Sequence, residues 1–138
     1  MTDYKLNTKW DIWYHSIEDN NWKNESYKLL YKIDNLYDIQ FLKDTIQQNH
    51  LQNSMFFVMR EDIFPTWEDP DNREGCCISF KVPASKLHEE WNLLLSRVLT
   101  EDILKDKEKC EEINGISISP KKEFNIIKLW LRNNNENY

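Results

Sequence analysis

The chain has 138 residues, 40% of them hydrophobic and 30% charged, which is enough for a single domain, residues 1–138, with a real hydrophobic core. Its 24 acidic residues against 18 basic ones give a net charge of −6, which argues against a protein that coats nucleic acid through many phosphate contacts and leaves only local binding open. Two glycines, Gly75 and Gly115, cannot build a phosphate-cradling loop, and three cysteines, two of them adjacent at Cys76 and Cys77, form neither a disulfide framework nor a spaced metal site, so no metal or cofactor is expected.

In chain order, residues 8–15 alternate Trp10, Ile12 and Tyr14 against Asp11, Trp13 and His15, the period of a strand. A polar loop through Glu18 and Asn21 carries Trp22, and Tyr27, Leu29, Tyr31 and Ile33 then alternate as a second strand. Asp34 or Asn35 can cap a helix through Leu36, Ile39, Leu42 and Ile46 that polar Gln47-Gln48-Asn49 ends, with Tyr37 and Phe41 on its other flank. Met55 to Arg60 reads as a buried strand, followed by a loop centred on Trp67. From Cys76 to Val82 one face carries Cys76, Ile78, Phe80 and Val82 and the other Cys77, Ser79 and Lys81.

Pro83, Ala84 and Ser85 open a helix with an apolar stripe of Leu87, Trp91, Leu94, Leu95 and Val98. Residues 101–112 are heavily charged and read as a solvated helix or loop. Asn114-Gly115 reads as a turn, Ile116–Ser119 and Asn125–Leu131 as two strands joined through Pro120 to Glu123, and the chain from about 132 as a polar tail that frays. Strands and helices mix without a βαβ rhythm, so the α+β class is expected, an antiparallel sheet with helices on one face. No apolar run approaches the ~20 residues of a membrane span and the N-terminus lacks a signal peptide's stretch, so a cytosolic chain, monomeric outside complexes, is expected.

The stretch Phe64-Pro65-Thr66-Trp67-Glu68-Asp69 sets an aromatic ring beside a carboxylate. An indole offers a π face to a base, and a carboxylate can accept two parallel N–H bonds from a guanine's Watson–Crick edge. Six tryptophans, at positions 10, 13, 22, 67, 91 and 130, exceed what a core of this size needs, so some should work at a surface. Trp22 and Trp67 qualify best because each sits in a polar loop. Taken alone, Glu68 would be a solvated carboxylate and either loop tryptophan a ring folded over the core edge; it is their joint presence that points to a base. A Cys77 nucleophile would need a histidine base, but His15, His50 and His88 stand in no local catalytic signature, so an enzyme is not expected.

Here the pattern resembles a family, the eukaryotic translation initiation factors 4E, which bind the 7-methylguanosine cap of messenger RNA. Leu6, Trp10 and Trp13 are similar to the family's opening Leu-x3-Trp-x2-Trp segment, Trp22 falls where the first cap-stacking tryptophan belongs, and Phe41 matches the aromatic of the first helix. Pro65-Thr66-Trp67-Glu68-Asp69, with Asn72 and Gly75, resembles the second stacking tryptophan and the guanine-reading glutamate; Trp91, Asn114-Gly115 with Ile116-Ser117-Ile118, and Trp130 follow in order. The resemblance implies a curved antiparallel sheet with helices on its convex face, C-terminally shortened, and a translation initiation factor that holds the cap between Trp22 and Trp67, pairs it with Glu68 and sets Trp130 near the methyl group. Methylation makes the purine cationic, which strengthens both stacking and pairing.

The chain also departs from the family pattern. Cys77 stands where a phosphate-binding arginine belongs, Lys121 falls at the main arginine position, and Glu123 and Ile126 occupy two lysine positions, leaving Lys122 and Lys128 as substitutes. The resemblance implies that Lys121 and Lys122 lie near the phosphates. It also implies a partner surface of Leu6, Phe41, Leu42 and Trp91 for the helix of a 4G-like scaffold or a 4E-binding protein, although Leu42 replaces a tryptophan there. These departures motivate an alternative, a protein-interaction or decoy module of the same fold that regulates translation without productive cap binding.

Overall fold

A computed structural model describes residues 5–16, 24–66, 68–104 and 107–133. Trp22, Trp67 and the tail residues 134–138 lie outside the described residues. The elements run β1 (Lys5–Ser16), β2 (Lys28–Asn35), α1 (Leu36–Thr45), α2 (Gln48–Asn53), β3 (Ser54–Arg60), α3 (Pro70–Arg73), β4 (Cys76–Pro83), α4 (Leu87–Leu99), β5 (Ile113–Pro120) and β6 (Phe124–Leu131). Single 3-10 turns at Asn24–Ser26 and Ala84–Lys86 and a longer one at Lys107–Glu112 link them.

All six strands pair antiparallel in the order β2-β1-β3-β5-β6-β4, one curved sheet of the α+β class. Alternation assigns the two faces. Trp10 and Ile12 of β1, Phe56 and Val58 of β3, Ile116 and Ile118 of β5, and Ile127, Leu129 and Leu131 of β6 point to the helical side. There they meet Ile39 and Leu42 of α1, Leu51 of α2, and Leu87, Trp91, Leu95, Val98 and Leu99 of α4. Each such side chain taken fully out of water contributes roughly 1.5–3 kcal/mol, so this side holds the domain together. The opposite side carries a smaller cluster, Phe57, Met59 and Trp130 with Ile63, flanked by the partly buried Trp13, Tyr27, Met55 and Cys77.

Local chemistry explains the helix boundaries. Asn35 caps α1: its side-chain oxygen accepts from the Asp38 N–H at 3.0 Å, while Asp38 Oδ2 accepts from the backbone of Asp34 at 2.8 Å and of Asn35 at 3.3 Å. The polar run expected to end α1 instead continues, after a break at Ile46 and Gln47, into α2. That short helix is held from outside: Gln48 donates to the Ala84 carbonyl at 2.6 Å and accepts from the His88 backbone at 3.0 Å, and Asn125, itself buried, donates to the Leu51 carbonyl at 2.9 Å.

Two further expectations are corrected. Asn114-Gly115 is no turn but the start of β5, opposite Met59 and Trp130. Glycine is required there by crowding, because a Cβ would overlap Met59 Sδ and stand 2.5 Å from the Val58 carbonyl oxygen. Gly115→Ala will therefore destabilise the fold by about 2–3 kcal/mol, read as a shift in the urea unfolding midpoint. The charged stretch 101–112 is not wholly solvated either: Cys110 is fully buried, and Glu101, with a φ of 56°, turns its carboxylate onto Arg60 of β3 at 2.8 Å.

Candidate functional site

The segment joining β3 to β4 carries Glu68 and is tied down at three points. Asp69 accepts from the backbone N–H of Phe64 and of Asp71, both at 2.9 Å, and caps α3, whose first residue is Pro70. Asn72, 1% exposed, donates to the carbonyls of Phe64 at 3.1 Å and Thr66 at 2.8 Å, so it closes the loop on itself. Asn114 of β5 then donates to the Asn72 side-chain oxygen at 3.0 Å and to the Asp71 carbonyl at 2.7 Å, pinning the loop to the sheet. The Asp and Asn of this motif are the loop's scaffold, and the exposed Glu68 is the group it presents.

Between this loop and the side of the sheet opposite the helices lies a cavity of about 310 Å³, lined by Tyr27, Met55, Phe57, Pro65, Thr66, Glu68, Ser117, Ser119, Lys128 and Trp130. Cross-strand registry builds its floor, with Phe57, Ser117 and Lys128 side by side on β3, β5 and β6, in a row that Trp13 and Ser79 continue beyond the cavity on β1 and β4. Trp130 is held edge-on to Phe57, ring centroids 6.4 Å apart, and donates its indole N–H to Ser117 Oγ at 2.9 Å. Tyr27 packs edge-on against Phe57 and Phe64 at 5.5 and 5.3 Å, and burial, reinforced by the negative charge of Glu68, raises its phenol above the ordinary value. The cavity thus offers aromatic edges and faces, one carboxylate, one ammonium and two serine hydroxyls, a mixture suited to a planar polar ligand.

Of the residues singled out from sequence, Glu68, Trp130 and Lys128 meet in this cavity. Trp22 and Trp67 lie outside the described residues, while the neighbours of Trp67, Thr66 and Glu68, line the cavity. Lys121 and Lys122 do not reach it; they sit at the β5–β6 connection and line a separate cavity of about 200 Å³ with Gln52, Ala84, Glu123, Phe124 and Asn125. The cation that lines the Glu68 cavity is Lys128. Its signal in the sequence is parity: it stands two residues before Trp130 on the same strand, hence on the same face. Tyr27, Ser117 and Phe57 carried no such signal, since each reads as an ordinary strand residue.

The residues implied for a partner surface divide. Phe41 is 49% exposed beside Tyr31, ring centroids 5.2 Å apart, and Leu6 is partly buried against the main core. Leu42 and Trp91, in contrast, turn inward, 4% and 0% exposed, because each lies on the core-facing stripe of its helix. Neither side chain is available at the surface, which corrects the expectation that they offer apolar area to a partner. Cys77, across from Trp130 on the neighbouring strand, is pushed up to about 11 by burial, partly countered by the charge of Lys128. Such a thiol stays protonated at neutral pH, an environment opposite to the one that activates a nucleophilic cysteine.

Comparison with known proteins places these features in context. Residues 5–138 match the family model of eukaryotic initiation factor 4E. Eukaryotic translation initiation factor 4E of Candida glabrata is 30% identical over 137 residues, covering 94% of this chain and 63% of its own length. A homolog of that factor from Acanthamoeba polyphaga mimivirus is 23% identical over 140 residues, covering 86% of this chain and 52% of its own. The chain thus spans between half and two thirds of the length of these relatives. Among solved structures, a complex of C. elegans initiation factor 4E-3 with the 4E-binding protein Mextli and cap analog superposes with a TM-score of 0.83 at 25% identity, over 96% of this chain and 76% of that one. Ascaris suum initiation factor 4E-3 with m7G cap gives 0.84 at 23% identity, over 98% and 77%.

Proposed function

The chain belongs to the eukaryotic initiation factor 4E family, and from that premise we propose that it is a translation factor that binds the 7-methylguanosine cap of messenger RNA. The observation that carries the proposal is the meeting of Glu68 and Trp130 in one aromatic-lined cavity of about 310 Å³. In this reading the Glu68 carboxylate accepts the N1 and N2 protons of the guanine, and the indoles of Trp67 and Trp22 sandwich the base. Each base–aromatic stack is worth about 1–3 kcal/mol, and the positive charge of the methylated purine adds a cation–π contribution of about 1–2 kcal/mol once water is excluded. Trp130, fixed by Ser117 and Phe57, borders the methyl group. The activity is binding alone, with no bond made or broken, and the protein works in the cytoplasm, where capped messages are translated.

Cap analog and 4E-binding protein accompany the C. elegans relative in its complex, and a helix of that kind is the partner proposed here for the exposed Phe41 and Tyr37 side of α1. The test of cap binding is intrinsic tryptophan fluorescence on titration with 7-methyl-GTP and, in parallel, GTP. Quenching by the methylated nucleotide, weaker by at least roughly tenfold in affinity for GTP and lost in Trp67→Ala, is the expected result. A folded wild-type protein that neither nucleotide quenches would leave the interaction-module reading in its place.

A further inference from the structure

Glu68, read as the base receptor, accounts for two hydrogens of a guanine edge and leaves one over. The two carboxylate oxygens take N1–H and one hydrogen of the exocyclic N2 amine. The second N2 hydrogen points away from the carboxylate, so a neighbouring wall decides whether anything larger can take its place.

Tyr27 supplies such a wall. It immediately precedes β2 and lines the cavity together with Glu68, and the charge of that carboxylate bears on its phenol, so the two meet at the same end of the cavity. Three rings from three other parts of the chain hold it edge-on: His15 of β1 at 4.9 Å, Phe57 of β3 at 5.5 Å and Phe64 of the β3–β4 segment at 5.3 Å between centroids. His15 and Phe57 are both buried, and His15 Nδ1 donates to the Ser16 carbonyl at 2.8 Å. A ring held from three sides cannot swing aside for one extra methyl group without displacing its neighbours. Pairing a plain guanine with Glu68 needs no such clamp, so the clamp bears on selectivity.

We propose that Tyr27 is a specificity-determining residue: its clamped ring bounds the space beside Glu68, admitting a guanine with an unsubstituted N2 amine and excluding one that carries a methyl group there. The preferred ligand class is then a cap methylated at N7 alone, against caps methylated again on N2. The proposal rests on the reading of Glu68 as the base receptor.

The probe pair is 7-methyl-GTP and N2,7-dimethyl-GTP, each titrated by calorimetry into the whole chain. A single methyl on N2 leaves one hydrogen for the carboxylate, so the comparison adds volume without removing a hydrogen bond. The wild type is expected to bind the N2-methylated nucleotide roughly 10- to 200-fold more weakly, the range that one methyl group spans in a tight pocket. Tyr27→Ala, or Tyr27→Val should the alanine variant melt early, is expected to bring that ratio below roughly threefold. Tyr27→Phe is expected to keep it, because the ring and not the hydroxyl bounds the space. A ratio unchanged in the alanine or valine variant, or lost in Tyr27→Phe, overturns the assignment. Equal binding of the two nucleotides by the wild type overturns it too, while leaving the base reading intact. Binding of neither nucleotide by the folded wild type removes both.

Discussion

Arg60→Met is expected to lower the stability of the domain by about 3–5 kcal/mol, the largest loss we anticipate from any single substitution. The Arg60 guanidinium is 9% exposed and uses its whole fork: Nε donates to the Ile113 carbonyl at 2.6 Å, Nη1 to Thr8 Oγ1 at 2.7 Å and Nη2 to the Cys110 carbonyl at 2.8 Å. The same group stacks 4.4 Å over the Trp10 ring and pairs with Glu101 at 2.8 Å. Methionine fills the space but leaves the Glu101 carboxylate, only 14% exposed, with its charge unpaired and Asn7 as its remaining donor, and strands two carbonyls. Urea unfolding followed by circular dichroism measures the loss, and for a chain of this size a melting point lower by roughly 10–17 °C should accompany it. Adding Glu101→Leu to Arg60→Met should restore part of the stability, because the stranded charge is then gone. No recovery in the double variant would mean that the pair itself contributes little and that the carbonyl bonds carry the effect.

On the proposed cap-binding function, Glu68→Gln is expected to weaken 7-methyl-GTP binding about 100-fold while leaving the unfolding midpoint unmoved. The two hydrogen bonds from the guanine edge to a carboxylate are charge-assisted, and losing one such bond to a charged group is worth about 1.5–3 kcal/mol. Glutamine keeps one acceptor but aims an N–H at the other guanine proton, so it loses the charge and sets two donors against each other. Stability should be indifferent because Glu68 is exposed and the loop is held by Asp69, Asn72 and Asn114 instead. Calorimetry on the folded variant checks the affinity, and a loss below roughly threefold would take the guanine-reading role away from Glu68.

Much of the sheet was legible because its strands are half buried and write the period of two plainly: Trp10 and Ile12 against Asp11 and Trp13, or Cys76 and Ile78 against Cys77 and Ser79. The stripe of α4 was legible for the same reason at the helical period, and Asn35 announced its own cap. What stayed hidden depends on distant partners. In α2 a single apolar residue, Leu51, shows no periodicity, and the helix exists because Ala84, His88 and Asn125 reach it from elsewhere. Glu101 reads as one more surface charge until β3 brings Arg60 to it. Asn114-Gly115 carries turn residues for reasons that are not turns, a buried amide that anchors a loop and a lack of space against Met59. In the candidate site the same division holds, since Glu68 was visible in its motif and Lys128 as one of two substitute cations, whereas which of Lys122 and Lys128 lines the cavity needed the floor to be laid out in register.

The strand order has a consequence in time as well as in space. β1 with β2 and β5 with β6 are neighbours along the chain and can pair as hairpins, but β3 ends at Arg60 and its partner β5 begins at Ile113, with β4 displaced to the far edge. Closing that central seam is the slow, high-contact-order step of folding. The cavity spans this seam, with Phe57 on one side and Ser117, Lys128 and Trp130 on the other. During synthesis, therefore, the half of the sheet that emerges first holds the Glu68 loop with only the Phe57 side of its floor, and the Ser117, Lys128 and Trp130 side follows when β5 docks between β3 and β6.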